Sequence, residues 1–363
     1  MVAVLPAWIT ARVLVTGTLI VAHLIVTRVR PNNPEAAQRV HQGLLAWDGG
    51  WYQSIAVHGY AASGLQSLRF FPVYPLAARV VGWVPGVGAS AGLVILSNLC
   101  SLAGMAVLYL LVRRDMDAGL ARRSVWLLAL APSAYTLVMG YAEGTLLLCS
   151  TVALLAVRSG RWWWAAWAGL VAGAVRPIGL LVVVPVAIEV YRSGWPGRFD
   201  RTVSARLAAV LAPLVGLGAY LAWTAWSFGD ALLPFRVQTE GTLHGPIKSP
   251  LTSMWHNVVA VTHGHHLGSA SHIPWVILAL VLLVVAFRRL PVSYGAFAAS
   301  VVVVAAASSN LDSFERYALS GFPLVIAAST LTSRPAVERL VLVVAAAAMV
   351  GYELLAMMGI TVP

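Results

Sequence analysis

One lysine, Lys248, stands among the 24 basic residues of this 363-residue chain; acidic residues number 13, and charged residues of all kinds make up only 10%. A soluble domain usually carries about a quarter charged residues, so this sequence cannot clothe an ordinary water-facing surface. Cysteine is scarce as well. Cys100 and Cys149 both lie in apolar runs, where a thiol packs as a small hydrophobe, and that excludes a disulfide scaffold. No GxGxxG, P-loop, GxSxG or HExxH pattern occurs, which leaves dinucleotide redox chemistry, nucleotide hydrolysis and the corresponding hydrolase classes without support. Disorder and coiled coil are excluded by the same composition.

Apolar residues fill most of the remainder: 60% of the chain is hydrophobic and its mean hydropathy is +0.82. Runs of about 18 or more apolar residues recur from end to end, and only repeated membrane spans bury that much apolar surface. The expected fold is therefore all-α, a polytopic transmembrane helical bundle forming one domain over 1–363. Apolar segments fall near 7–27, 88–112, 124–139, 141–157, 162–175, 177–191, 205–228, 273–287, 293–308, 318–333 and 338–358, about eleven spans, some short or re-entrant. The first is too long for a signal peptide and is followed by Arg28 and Arg30 rather than a small-residue cleavage site, so it is expected to remain as a span.

Basic clusters in the short connections, among them Arg113-Arg114, Arg122-Arg123, Arg158 with Arg161, Arg288-Arg289 and Arg334 with Arg339, mark one face as cytoplasmic and place the N-terminus there. The net charge of +11 collects on that face, so it reads as an orientation signal rather than a nucleic-acid surface. No nucleic-acid partner is expected. The nine histidines fall on the opposite side.

Between Arg123 and Arg158 too few residues remain for two full spans, since each arm reaches roughly 24 Å at ~1.5 Å per residue. The tip of that hairpin carries Tyr141 and Glu143. The segment from Arg161 to Arg192 breaks at Arg176-Pro177, where proline disfavours a continuous helix. Charge at membrane depth needs a partner or a wet cavity, so Glu143 and Arg176 predict a cleft open to the outer side; a structural ion pair between them is the plainer reading.

Two long segments lie outside the membrane, 28–85 and 229–272. The first holds Trp47-Asp48-Gly49-Gly50-Trp51-Tyr52, in which a carboxylate sits beside glycines that admit a ligand and aromatics that can pack on a sugar face. The alternative is an Asx turn or helix cap with interfacial aromatics. Downstream, Arg69 to Pro75 joins a cation to Phe70, Phe71 and Tyr74, as an interfacial anchor does and as a lipid-phosphate entrance also would. Glu315, Arg316 and Tyr317, with Asp312, form a further polar group at the outer start of the tenth segment. The second segment contains His263, His265, His266 and His272, which raise the question of a metal; the first three are closely spaced but without the helical pairing of a zinc site. No metal ligand set is identified; Asp48 and Glu143 could share a divalent cation, but nothing requires one.

Together these blocks, with His58-Gly59-Tyr60, Phe70-Phe71-Pro72-Val73-Tyr74-Pro75, Tyr141-Ala142-Glu143, Arg176-Pro177-Ile178-Gly179 and Glu315-Arg316-Tyr317, resemble the PIG-V mannosyltransferase family and its bacterial relatives, within the glycosyltransferase C superfamily. The resemblance runs from residue 7 to about 333. It implies a multi-pass enzyme of the bacterial plasma membrane that transfers mannose from a polyprenyl-phosphate mannose donor, with inversion, to a glycan, glycolipid, lipoglycan or protein acceptor on the non-cytoplasmic side. It implies Asp48 as the catalytic carboxylate in the external catalytic segment 28–85. Trp47, Trp51 and Tyr52 would shape the sugar pocket, with Tyr74, Tyr141, Glu143, Glu315 and Tyr317 contributing, and Arg69, Arg176 and Arg316 are the candidates for the donor phosphate. A lipid or sugar transporter and a non-catalytic partner of a glycosyltransferase complex are the competing readings of the residues alone.

Overall fold

The computed structural model describes residues 3–29, 33–194, 201–239, 272–307, 311 and 313–362, with the isolated positions 249, 252, 255 and 259. Most of the second external segment, including Lys248 and His263, His265 and His266, lies outside the described residues, as does Asp312.

Among the described residues every regular element is a helix. Four are long and apolar enough to cross a membrane: α1 (Leu5–Arg28), α6 (Gly88–Asp115), α11 (Arg201–Phe228) and α17 (Pro335–Met357). The protein is an integral membrane protein. The expectation of about eleven spans is not matched by eleven continuous helices. Segment 124–139 becomes α7 (Ala118–Leu130) followed by irregular chain, and 318–333 divides into α15 (Phe314–Ser320) and α16 (Pro323–Thr330) around Gly321. Segment 177–191 opens with a 3-10 turn at Pro177–Val182 before α10 (Val183–Arg192). Proline and glycine interrupt the helical ladder at these places, which apolar run length alone does not register.

The expected external segment 28–85 is not a loop but a set of short helices laid against the bundle. Asn33 caps α2 (Pro34–Gln42), its side chain accepting from the Ala36 amide at 3.0 Å with Pro34 at the first position. Then come α3 (Asp48–His58), α4 (Tyr60–Ser63) and α5 (Val73–Val81), with α3 and α5 packed on each other and on α6.

Helices α8 (Glu143–Arg158) and α9 (Trp162–Val175) run between α6 and α11, and α12 (Leu233–Gln238), α13 (Ile273–Arg289) and α14 (Val292–Ala306) complete the set. At Gly173, a Cβ would come within 2.1 Å of the Pro213 carbonyl, so only glycine permits the observed approach of α9 to α11. Gly144 plays the same part for α8 against α6, where a Cβ would meet the Ser97 carbonyl at 2.5 Å. That contact fixes the height of the neighbouring Glu143.

Between α7 and α8 the chain from 131 to 142 holds only a 3-10 turn at Ala134–Leu137 and is almost wholly buried. Buried backbone groups need partners, especially in a protein surrounded by hydrocarbon. Arg12, inside α1, donates to the Leu137 carbonyl at 3.0 Å, and Asn98 of α6 donates to the Val138 carbonyl at 2.8 Å. The guanidinium of Arg12 also stacks over Trp8 and bonds Asn98. A charged residue within the first span thus holds the irregular tip that carries Tyr141.

Candidate active site

Asp48 is the first residue of α3 and Glu143 the first of α8, so both carboxylates sit at helix N-termini, where exposed amides favour negative charge. Arg316 on α15 joins them. Its Nη1 lies 2.7 Å from Asp48 Oδ2 and its Nε 3.5 Å from Glu143 Oε1. Arg176, just past α9 in extended conformation, pairs with the same Glu143 oxygen from the other side. The predicted Glu143–Arg176 pair is therefore present, but as part of a four-membered chain.

Aromatic rings fix the cations. The Arg316 guanidinium lies 5.6 Å from the Tyr141 ring centre and 5.3 Å from that of Tyr317, and Arg176 lies 5.2 Å from Tyr317. Tyr141 also accepts from the Asp48 amide and donates to the Ala46 carbonyl, tying the turn before α3 to the hairpin tip. On the far side of Arg316, Glu315 pairs with His272 at 2.6 Å, and Ser133 donates to the Glu315 carbonyl at 2.9 Å. Glu315 thus anchors α15 rather than facing Asp48.

Exposure separates the members of the chain. The side chains of Arg316 and Glu143 are each 5% exposed and that of Arg176 9%, whereas that of Asp48 is 25% exposed. Of the two carboxylates, Asp48 is the one an incoming group can reach. Burial pushes its carboxyl up, but Arg316 and Arg69 more than offset this and hold it below the usual carboxylate range.

Arg69 differs from the other two arginines. Its guanidinium lies 4.8 Å from the Phe70 ring centre and 5.7 Å from that of Trp51, two rings stacked at 6.1 Å. It forms no ion pair among the described residues, and its Nε is buried without a partner. Glu143 Oε2 and Arg316 Nε are likewise buried without hydrogen bonds. Asp48, Glu143, Arg69, Arg176 and Arg316 sum to one surplus positive charge, and three of their polar atoms are unsatisfied.

The remaining sequence candidates fall into two groups. Tyr52 stands close enough to feel the charges of Arg176, Glu143 and Asp48 while packing edge-on against Phe70 and Tyr74. Tyr74 lies one layer behind it, fully buried, with its hydroxyl on the Leu93 carbonyl at 2.8 Å. Trp47 commits its indole N–H to the Ala356 carbonyl of α17 at 3.0 Å. That hydrogen bond ties the turn before α3 to the last helix. Sequence reasoning missed Arg12 because an isolated arginine does not interrupt an apolar run. It weighed His272 only as a metal ligand, since 43 positions separate it from Glu315 and no local signal joins the two.

Only two non-glycine residues among those described have positive φ: Trp47 at 58° and Ser313 at 64°. They are the N-caps of α3 and α15, the helices that bring Asp48 and Arg316 together. Strained backbone persists where its surroundings over-determine it, and it gathers at functional sites. Among the described residues no group of three or more histidine, cysteine, aspartate or glutamate side chains is assembled for a metal.

No protein-family model matches the sequence, and no curated protein matches it. Solved structures do. The chain resembles ArnT from Cupriavidus metallidurans bound to undecaprenyl phosphate, with a TM-score of 0.54 and 16% identity over 91% of this chain. It spans 62% of the length of that protein. A weaker likeness, TM-score 0.42 and 12% identity over 80% of this chain and 44% of the other, is to the Archaeoglobus fulgidus oligosaccharyltransferase in complex with zinc and sulfate. At 16% identity the first likeness establishes the fold alone, a helical architecture shared with that structure.

Proposed function

We propose that this protein is a membrane glycosyltransferase that takes mannose from a polyprenyl-phosphate donor and passes it, with inversion, to a hydroxyl of a glycan, glycolipid or protein acceptor on the non-cytoplasmic face. The observation that carries the reading is the pairing of a reachable Asp48 with a surplus guanidinium, Arg69. A sugar phosphodiester carries one negative charge near neutral pH, which matches the one unneutralised cation. A pyrophosphate-linked or nucleotide donor would bring more charge than the cluster can match. The likeness to ArnT with undecaprenyl phosphate bound supports a polyprenyl phosphate as the lipid, and the motif resemblance supports mannose.

In the transfer, a bond forms between the acceptor oxygen and the anomeric carbon as the bond to the phosphate oxygen breaks. The leaving group is already a stable anion, so it needs cationic stabilisation more than a general acid. Arg69 and Arg316 supply that charge. Asp48 takes the proton of the attacking hydroxyl on the opposite face of the sugar. While bound to Arg316, and in the field of Arg69, its carboxylate is a weak base; donor phosphate draws on both guanidiniums and thereby restores its basicity. Trp51, stacked under Arg69, lines the sugar side. A divalent cation shared by Asp48 and Glu143 would have to displace Arg316, which already bridges them.

An assay with lipid-linked mannose and an acceptor extract, using purified wild-type protein and Asp48→Asn, tests the reading. General-base removal costs about 10²- to 10⁴-fold in rate. Unchanged turnover in a folded Asp48→Asn protein would end the base assignment. Absence of product from the wild type, with substrate flux across sealed vesicles, would replace the enzyme with a transporter.

A further inference from the structure

Asp48 inherits its direction from the backbone of Trp47, because the two share a peptide plane and Asp48 is the first residue of its helix. Trp47 has φ 58° and ψ −122°, a conformation a bulky residue adopts only when held there. No side chain caps α3 at that point. The holding contacts come from the opposite end of the sequence. The Trp47 indole donates to the Ala356 carbonyl at 3.0 Å, and Arg39 lies over the Trp47 ring at 5.0 Å while its Nε donates to the Met357 carbonyl at 3.2 Å. Gly359 closes the arrangement. With φ 73° it leaves room for the Arg39 side chain, whose Nη2 would lie 2.0 Å from any Cβ added there.

We infer that the end of α17 and the turn after it, residues 356–359, are a positioning device for Asp48: they lock Trp47 in its positive-φ conformation through Arg39 and two backbone carbonyls, so that the carboxylate meets the acceptor hydroxyl. Trp47 and Arg39 are positioning residues, not ligands of the sugar. The inference rests on Asp48 being the base, but its physical content, a turn clamped by the C-terminal helix end, does not. Tyr141 supports the same turn from beneath through the Ala46 carbonyl and Asp48 amide, so the clamp orients a turn that is already anchored. Loosening it is expected to misdirect the carboxylate without unfolding the segment.

The test uses the full-length protein in lipid nanodiscs with three variants. Trp47→Phe keeps an aromatic ring, smaller than the indole, and removes the N–H, Gly359→Ala intrudes on Arg39, and Arg39→Lys keeps the charge but loses the planar stack and the Nε bond. Two quantities are read: amide hydrogen exchange of residues 43–52, which needs no substrate, and the kinetic constants for lipid-linked mannose. The expected result is at least fivefold faster exchange confined to that segment and about tenfold lower kcat, with donor KM changed less than twofold. Trp47→Phe combined with Gly359→Ala is expected to be no worse than the more severe single variant, because both break one device. A donor KM raised tenfold with kcat kept in Trp47→Phe would make Trp47 a sugar contact and overturn the inference. Exchange unchanged in both Trp47→Phe and Gly359→Ala would show the clamp to be idle and overturn it as well. Faster exchange together with full activity in Asp48→Asn would instead leave the clamp standing and remove the base assignment.

Discussion

Helix α8 carries an ion network at each end, and the two are built differently. At its last residue, Arg158 donates to Asp115 at 2.8 Å and to Glu189 at 3.1 Å, Tyr294 donates to Asp115 at 2.8 Å, and Ser293 donates to Glu189. None of these side chains has a buried polar atom left without a partner. At its first residue, roughly 22 Å away along the helix, Glu143 shares one oxygen between Arg176 and Arg316 and leaves the other unsatisfied. Arg316 Nε and Arg69 Nε are unsatisfied there too. Native interiors seldom bury polar groups without partners, and the exceptions ask for an explanation. The contrast within one helix separates a closed network that joins α6, α8, α10 and α14 from an open one whose charged groups keep unpaired polar atoms.

The largest effect that can break this comparison is on stability. Arg158→Gln would leave Asp115 and Glu189, both largely buried, with their shared cation removed. Breaking such a pair costs about 3–5 kcal/mol, so a thermal unfolding scan is expected to show a clear drop in midpoint, with turnover per folded molecule little changed. Arg69→Gln is expected to leave the midpoint nearly where it was, since Arg69 gives up no ion pair. Equal midpoints for the two variants would erase the distinction between closed and open networks. Next in size, Arg69→Gln is expected to raise the donor KM about tenfold to a hundredfold, the loss of one charged hydrogen bond of ~1.5–3 kcal/mol. A KM within twofold of the wild type would move the phosphate away from Arg69.

How far the sequence disclosed this arrangement follows from how far each signal reaches. Apolar run length and the basic clusters disclosed a helical membrane bundle, because hydropathy is a local sum. The same sum overlooked Arg12 in the first span and the break at Gly321, since one polar or flexible residue barely alters a window of twenty, whereas the break at Pro177 was legible from the proline itself. Glu143 and Arg176 were legible as charges that membrane depth makes expensive, and the Trp47–Tyr52 block and Arg316 as polar and aromatic clusters on the outer side. Their grouping around Arg316, by contrast, depends on contacts 268 and 33 positions apart. Trp47 shows the limit most plainly: an aromatic next to a carboxylate reads as a sugar platform, and nothing local discloses that its N–H is donated to a carbonyl of α17, 309 residues on.

The smallest expected effect is on the acid side of the pH profile, and it sharpens the comparison by asking whether Arg69 faces Asp48. Arg316 and Arg69 depress the Asp48 carboxyl below its ordinary range although burial pushes it upward. A depressed carboxyl contributes its stabilisation fully above the unfolded value, near 3.9, and loses it as pH falls through the lower folded value. Between pH 8 and 5 Asp48 is therefore ionised throughout and adds no slope to stability or to rate. Its acid limb in kcat/KM, which reports the free enzyme, is expected below the ordinary carboxylate range. Arg69→Gln removes one of the three lowering charges and leaves burial unopposed to that extent, so the limb is expected to move to higher pH while Arg316 and Arg176 keep it from moving far. A limb that stays in place, with the donor KM raised as above, would mean that Arg69 holds the phosphate without sharing a field with the base, and the open network would then be two separate sites.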